Sequence, residues 1–291
     1  MRKACVFFAL IAFVIAWAPF APAQDGELQV PKTLVAGSSF SIPTQGSGEA
    51  ELYIVGPGGV FRRKVQLGQA VKFRGGEITG AGNYVVLLSG PSSSLQARFD
   101  VVAQKPDALS FLGKPSRLPV SQNDGISGVV FVFDALQNLV LDPVSVTFDL
   151  KDGSANSSKT VQTQHGVAWV RMNSASKSGS AEFQAVAGDL RENRIVQMVP
   201  ADPCTLRMTA RRAGSQVFLQ TDPVRDCNGN ALPDGTSISF TETRNGRIAA
   251  SVEVPLKRDV AQTQLPAYDG AVLSVATGVV MGNEIKVGAT R

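Results

Sequence analysis

From about residue 25 onward the chain alternates apolar and polar side chains at a period of two, and no window of helical period survives its glycine and proline content. The run Val144-Ser145-Val146-Thr147-Phe148-Asp149-Leu150 puts Val, Val, Phe and Leu on one face and Ser, Thr and Asp on the other, the pattern of a half-buried strand. Similar runs recur at 52–55, 84–88, 98–102, 128–133, 167–172, 181–187, 215–220, 237–241 and 251–256. Turn clusters such as Gly56-Pro57-Gly58-Gly59, Lys151-Asp152-Gly153 and Asn228-Gly229-Asn230 separate them. Short strands with turns at this spacing predict an all-β chain of antiparallel sandwiches, not β-α-β units.

An internal repeat divides the chain. The run from Asp134 through Asn138 and Asp142 to Phe148 lies without a gap over the run from Asp226 through Asn230 and Asp234 to Phe240. Residues 179–188 lie over 270–278 with one residue dropped. Two copies of one sandwich are therefore expected at 108–199 and 204–291, and a further all-β unit at 24–103 that aligns poorly with them. Pro-containing joints, Gln104-Lys105-Pro106-Asp107 and Pro200-Ala201-Asp202-Pro203, separate the units, and the second is short enough to limit swing.

The first 23 residues read as a secretory signal peptide: Arg2 and Lys3 precede an apolar run over 4–18, and Ala21-Pro22-Ala23 supplies small residues for cleavage. The expected compartment is extracellular, periplasmic or cell-surface. No later stretch approaches the roughly 20 apolar residues of a membrane-spanning helix, so no transmembrane segment is expected in the mature chain. Of 28 basic residues two leave with the signal, so 26 stand against 24 acidic ones and the mature charge is +2. The basic clusters Arg62-Arg63-Lys64, Arg211-Arg212 and Lys257-Arg258 lie far apart without interleaved aromatics, which argues against nucleic acid as a partner. Cys5 lies inside the signal, and Cys204 and Cys227 remain as one expected disulfide. The third unit is expected to open with a hairpin of 205–210 and 215–220 about the turn 211–214.

The order Asp134, turn, Asn138, apolar residues, Asp142-Pro143 and an alternating strand ending near Phe148, then Gly166-Val167-Ala168-Trp169-Val170 and the closing strand from Gly179, resembles the bacterial Ig-like domains of the invasin and intimin group. The resemblance covers the second unit well and the third loosely. The first, through Gly80-Ala81-Gly82-Asn83-Tyr84, resembles a generic Ig-like sandwich. It implies tandem Ig-like β-sandwiches and an adhesion, scaffold or spacer role with a protein or glycan surface partner. The outer-membrane β-barrel of that group is not read in these residues.

Catalytic patterns are sparse. There is no Gly-x-Ser-x-Gly elbow and no phosphate loop, and the only histidine, His165, stands at an expected turn before Gly166. The chain is therefore expected to be non-enzymatic and without a cofactor. One ion stays in view. Asp222, Asp226, Asn228, Asn230 and Asp234 are oxygen donors within thirteen residues and could hold calcium, although Ala231 and Ser237 break the EF-hand pattern. Read structurally, the same residues form a turn whose Asp side chains bond free backbone amides. Trp169, alternating with Val167, is expected to pack between the sheets. The competing class is a carbohydrate-binding or enzyme-accessory module, which would show exposed aromatics lined up on one sheet.

Overall fold

The computed structural model describes residues 28–288 apart from 91–93, 154 and 267; the expected signal peptide lies outside the described residues. Among these, no helix is long and apolar enough to cross a membrane. They fall into two compact units. The first takes the described residues up to Leu34 with Ser38–Glu77 and Gly82–Asp100, and the second takes Val35–Gly37, Ile78–Ala81 and the chain from Val101.

The N-terminal strands are β1 (Thr33–Val35), β2 (Phe40–Ile42), β3 (Glu49–Gly56), β4 (Gly59–Gln66), β5 (Val71–Phe73), β6 (Gly82–Ser89) and β7 (Ser94–Val102). They form a five-stranded sheet in the order β1-β7-β6-β3-β4 and a two-stranded sheet β2-β5. Aromatic rings fill the first unit, with Phe40 stacked on Phe73 at 4.5 Å and Tyr84 on Phe99 at 5.2 Å between centroids. Gly56 is required there, since a Cβ would lie 2.1 Å from the Tyr84 ring.

The second unit holds two hydrophobic cores. Around the first lie β8 (Ala108–Lys114), β9 (Arg117–Pro119), β10 (Ile126–Phe133), β11 (Ser145–Lys151), β12 (Asn156–Gln162), β13 (Val167–Met172), β14 (Gly179–Ala187) and β15 (Leu190–Val199). Their sheets run β13-β10-β8 and β12-β11-β14-β15-β9. Period-two alternation becomes burial directly: Val146, Phe148 and Leu150 of β11 are buried, while Thr147 and Asp149 face outward. Phe111, Phe148 and Phe183 meet between the sheets at centroid distances of 5.0 to 6.2 Å. Gly128 makes room for them, because a Cβ there would lie 2.7 Å from Phe183.

Around the second core lie β16 (Met208–Ala213), β17 (Gln216–Thr221), β18 (Ser237–Arg244), β19 (Arg247–Pro255), β20 (Gln262–Pro266), β21 (Val272–Thr277) and β22 (Val280–Lys286), in sheets β16-β17-β20 and β19-β18-β21-β22. The opening hairpin differs from expectation. It turns at Gly214, with Ala213 paired to Gln216, so Arg211 and Arg212 are strand residues. Their long side chains have partners on the folded surface: Arg211 lies over the Phe218 ring and Arg212 bonds Asp269 and the Gly288 carbonyl.

Trp169 also corrects the expectation of a core residue. It and Val167 do share a face, but that face is the outer one. The Trp169 side chain is 64% exposed, while Ala168 and Val170 point into the core. Periodicity identifies which residues share a face; it does not say which face is inside when both alternating sets are apolar.

Candidate functional site

The Asp turns of the two repeat copies have the same geometry. Asp226 is 5% exposed. Its Oδ1 accepts the backbone N–H of Asn228 and of Asn230, both at 2.9 Å, and its Oδ2 accepts the N–H of Ala201 at 3.1 Å from the joint between the sandwiches. The Asn230 side-chain amide donates to both carboxylate oxygens. It also donates to the Ser176 carbonyl at 3.0 Å, while its Oδ1 accepts the Ser178 N–H at 3.0 Å. A single amide thus ties the turn of one sandwich to the 176–178 loop of the other, within the second unit. Asn228 adds a bond from its Nδ2 to the Ser121 hydroxyl at 2.8 Å.

Asp134 repeats the plan. Its oxygens accept the N–H groups of Leu136, Asn138 and Gln104 at 2.7 to 2.9 Å, and the Asn138 side chain donates to it at 3.0 Å. Asn138 also takes the Ala81 N–H and gives to the Thr79 carbonyl, each at 2.8 Å, within the same compact unit. Burial pushes both carboxyls up, but the hydrogen bonds from the asparagine side chains and the backbone amides outweigh it and hold Asp134 and Asp226 below the usual carboxylate range.

Four of the five candidate metal ligands have side-chain partners within the protein. Asp226 is saturated by amide donors, Asn230 and Asn228 point to the neighbouring sandwich, and Asp234 accepts the Arg258 N–H at 2.8 Å. Asp222 donates its backbone N–H to the Arg207 carbonyl. Among the described residues no group of three or more His, Cys, Asp or Glu is placed to hold a metal ion. The arrangement fits the turn reading. Cys204 and Cys227 are joined in a disulfide with Cα atoms 5.1 Å apart, so the residue that follows the joint is covalently tied to the residue following Asp226.

His165 and Gly166 form the two-residue turn between Gln164 and Val167, with φ of 51° and 80°. This is the geometry of a type I′ hairpin. Two open concavities lie on the second sandwich of this unit. Thr209, Arg211, Phe218, Gln220, Gln262 and Gln264 line one, and Val254, Lys257, Arg258 and Val260 the other. Among the described residues, neither is lined by a carboxylate, a cysteine or a histidine.

No family model and no curated protein matches the chain. Among solved structures it is similar to FdeC, an Escherichia coli adhesin, with a TM-score of 0.62 at 13% identity over 89% of this chain and 95% of that one. The chain has that bacterial Ig-like fold. InvD of Yersinia pseudotuberculosis is also similar, with a TM-score of 0.51 at 11% identity, covering 89% of this chain and 96% of that one.

Two structural features escape a reading by local pattern. The reach of Asn138 and Asn230 into a distant loop is one, although an Asp and an Asn four residues apart at the same place in both repeat copies are its visible trace. Glu242 is the other. It is fully buried two residues after Phe240, where the repeat has Leu150 two after Phe148, and it bonds the Arg244 guanidinium with both oxygens at 2.6 and 3.1 Å. Arg244 in turn covers the Tyr268 ring.

Proposed function

We propose that this is an exported, non-enzymatic adhesion or scaffold protein of the envelope or extracellular space, which uses Ig-like sandwiches to present its outer surfaces to a partner. The observation that carries the reading is the joint between the two sandwiches of the second unit. A buried carboxylate bonds the linker at Ala201, a disulfide fixes Cys204 just beyond it, and the Asn230 amide fastens the turn to the 176–178 loop of the neighbouring sandwich, an investment in fixed spacing rather than in chemistry. The likeness to the FdeC fold supports it. The exposed Trp169 favours a second reading, carbohydrate binding. Its neighbours across the sheet are aliphatic Val129 and Leu112, however, not the polar groups that grip sugar hydroxyls.

Beads coated with the secreted chain should adhere saturably to cell-surface or cell-wall preparations and be displaced by the free chain. Adhesion that is absent or does not saturate overturns the reading. A hydrolytic activity lost in His165→Ala, with the fold intact by circular dichroism, would overturn its non-enzymatic part.

A further inference from the structure

The outer face of the β13-β10-β8 sheet is unusual for a solvated surface. Across it, Leu112, Val129 and Trp169 form one continuous row, with Leu112 51% and Trp169 64% exposed. The next row along β10 adds half-buried Phe131 and Val167, and Phe133 beyond them stacks on Phe131 at 6.5 Å. At the opposite end of β10, Ser127 is flanked by Lys114 on one side and Arg171 on the other, and the Lys159 ammonium donates to the Arg171 carbonyl beside them. None of the outward residues of the three strands is acidic. A contiguous apolar patch with an exposed tryptophan on its edge strand and a charged margin has the anchor residue of an interface hot spot.

Size and charge choose the occupant. Three strands about 4.8 Å apart, with the seven residues from Ser127 to Phe133 at about 3.3 Å each, span roughly 300 Å². That is well below the ~800 Å² per partner of a stable protein pair, which disfavours a second folded copy. Its length of about 23 Å takes a helix about 10 Å wide and some 15 residues long at 1.5 Å per residue. The Lys114, Arg171 and Lys159 end asks for carboxylates at one end of that helix. Aliphatic neighbours around the indole disfavour a sugar.

We infer that this face docks an acidic amphipathic helix of a protein partner, with its apolar stripe on the Leu112-Val129-Trp169 row and its carboxylates against Lys114 and Arg171. This rests on the adhesion reading and names the chemistry of its partner.

In the secreted chain from residue 24 Trp169 is the sole tryptophan, so its emission reports the face directly. The probe is a designed 16-residue helix with Leu at positions i, i+3, i+4 and i+7 and Glu clustered toward one end, together with a twin carrying Lys for Glu. The Glu helix should shift Trp169 emission to shorter wavelength, saturate, and protect it from acrylamide. Lys114→Glu with Arg171→Glu, both on the surface, should weaken the Glu helix at least ten-fold and make the Lys helix the tighter binder. No shift with the Glu helix, or affinities unmoved by the charge reversal, overturns the inference. So does a stronger shift with phosphatidylglycerol-containing vesicles or heparin, or one that tracks protein concentration with a doubling of mass. Beads carrying Trp169→Ser separate the two readings: undiminished adhesion sinks the docking face and leaves adhesion standing, whereas wild-type beads that fail to adhere sink adhesion itself.

Discussion

The side-chain amide of Asn230 donates to the Asp226 carboxylate, at 2.9 Å to the nearer oxygen, and at the same time to the Ser176 carbonyl 54 residues earlier in the chain. The carboxylate orients the amide, and the oriented amide holds the loop. Asp134 and Asn138 reproduce the pair, so the device belongs to the repeat and not to one turn.

Replacing Asp226 by Ala should destabilise the second unit by about 2 to 4 kcal/mol in urea denaturation, because several buried N–H groups lose a charged acceptor at once. Asn230→Ala should cost less but free the loop. Its specific readout is faster hydrogen exchange at the Ser178 amide, which now donates to Asn230. Unchanged exchange there would show that the amide is not what holds the loop.

Stability should be flat in pH until acid conditions. Asp134 and Asp226 have folded-state pKa values lowered below the unfolded value of about 3.9, so their contribution is complete above that pH and is lost as the pH falls through the folded values. Urea midpoints measured from pH 7 to pH 2 should therefore drop only below about pH 4. Asp134→Asn with Asp226→Asn should be less stable at neutral pH and show a shallower acid limb.

Reducing the disulfide, or replacing Cys204 and Cys227 by Ser, should cost about 3 kcal/mol, since the bridge closes a loop with a sequence separation of 23. Thiol titration of the secreted, unreduced chain should find no reactive cysteine. Two titrating thiols would contradict the bond.

Gly128→Ala should destabilise the first sandwich of the second unit by about 1 to 3 kcal/mol through overpacking against Phe148 and Phe183. Gly179→Ala has open space around its Cβ but a φ of 139°, so its cost should come from backbone strain alone. Calorimetry of the two variants, each with and without Phe183→Leu, distinguishes the causes: only Gly128→Ala should be rescued.

Glu242 is buried only because Arg244 answers it. Arg244→Ala should therefore destabilise by about 1 to 3 kcal/mol, as it leaves a buried carboxylate without its cation. Glu242→Leu, which restores the residue type found at Leu150, should recover most of that loss in the double variant. A double variant no more stable than Arg244→Ala would show that the carboxylate is not the source of the cost.

The all-β architecture was legible in the sequence because a strand with one buried face must alternate, as Val146, Phe148 and Leu150 do. The weakly patterned strands were not: β12 is an edge strand whose residues are nearly all exposed, and β15 interrupts its apolar positions with Arg and Glu. The Asp-to-Asn spacing and the two late cysteines were visible, and so was the turn they build. Tertiary structure decided what those residues touch, because Ser176, Ser178 and Ala201 meet the turn only once two sandwiches stand together. It also decided the face of Trp169. In β13 both alternating sets are largely apolar, Ala168, Val170 and Met172 on one side and Val167 and Trp169 on the other, and local hydrophobicity is indifferent between them. The core takes the smaller Ala168 and Val170 and the flexible Met172 of β13, and so the indole stands outside.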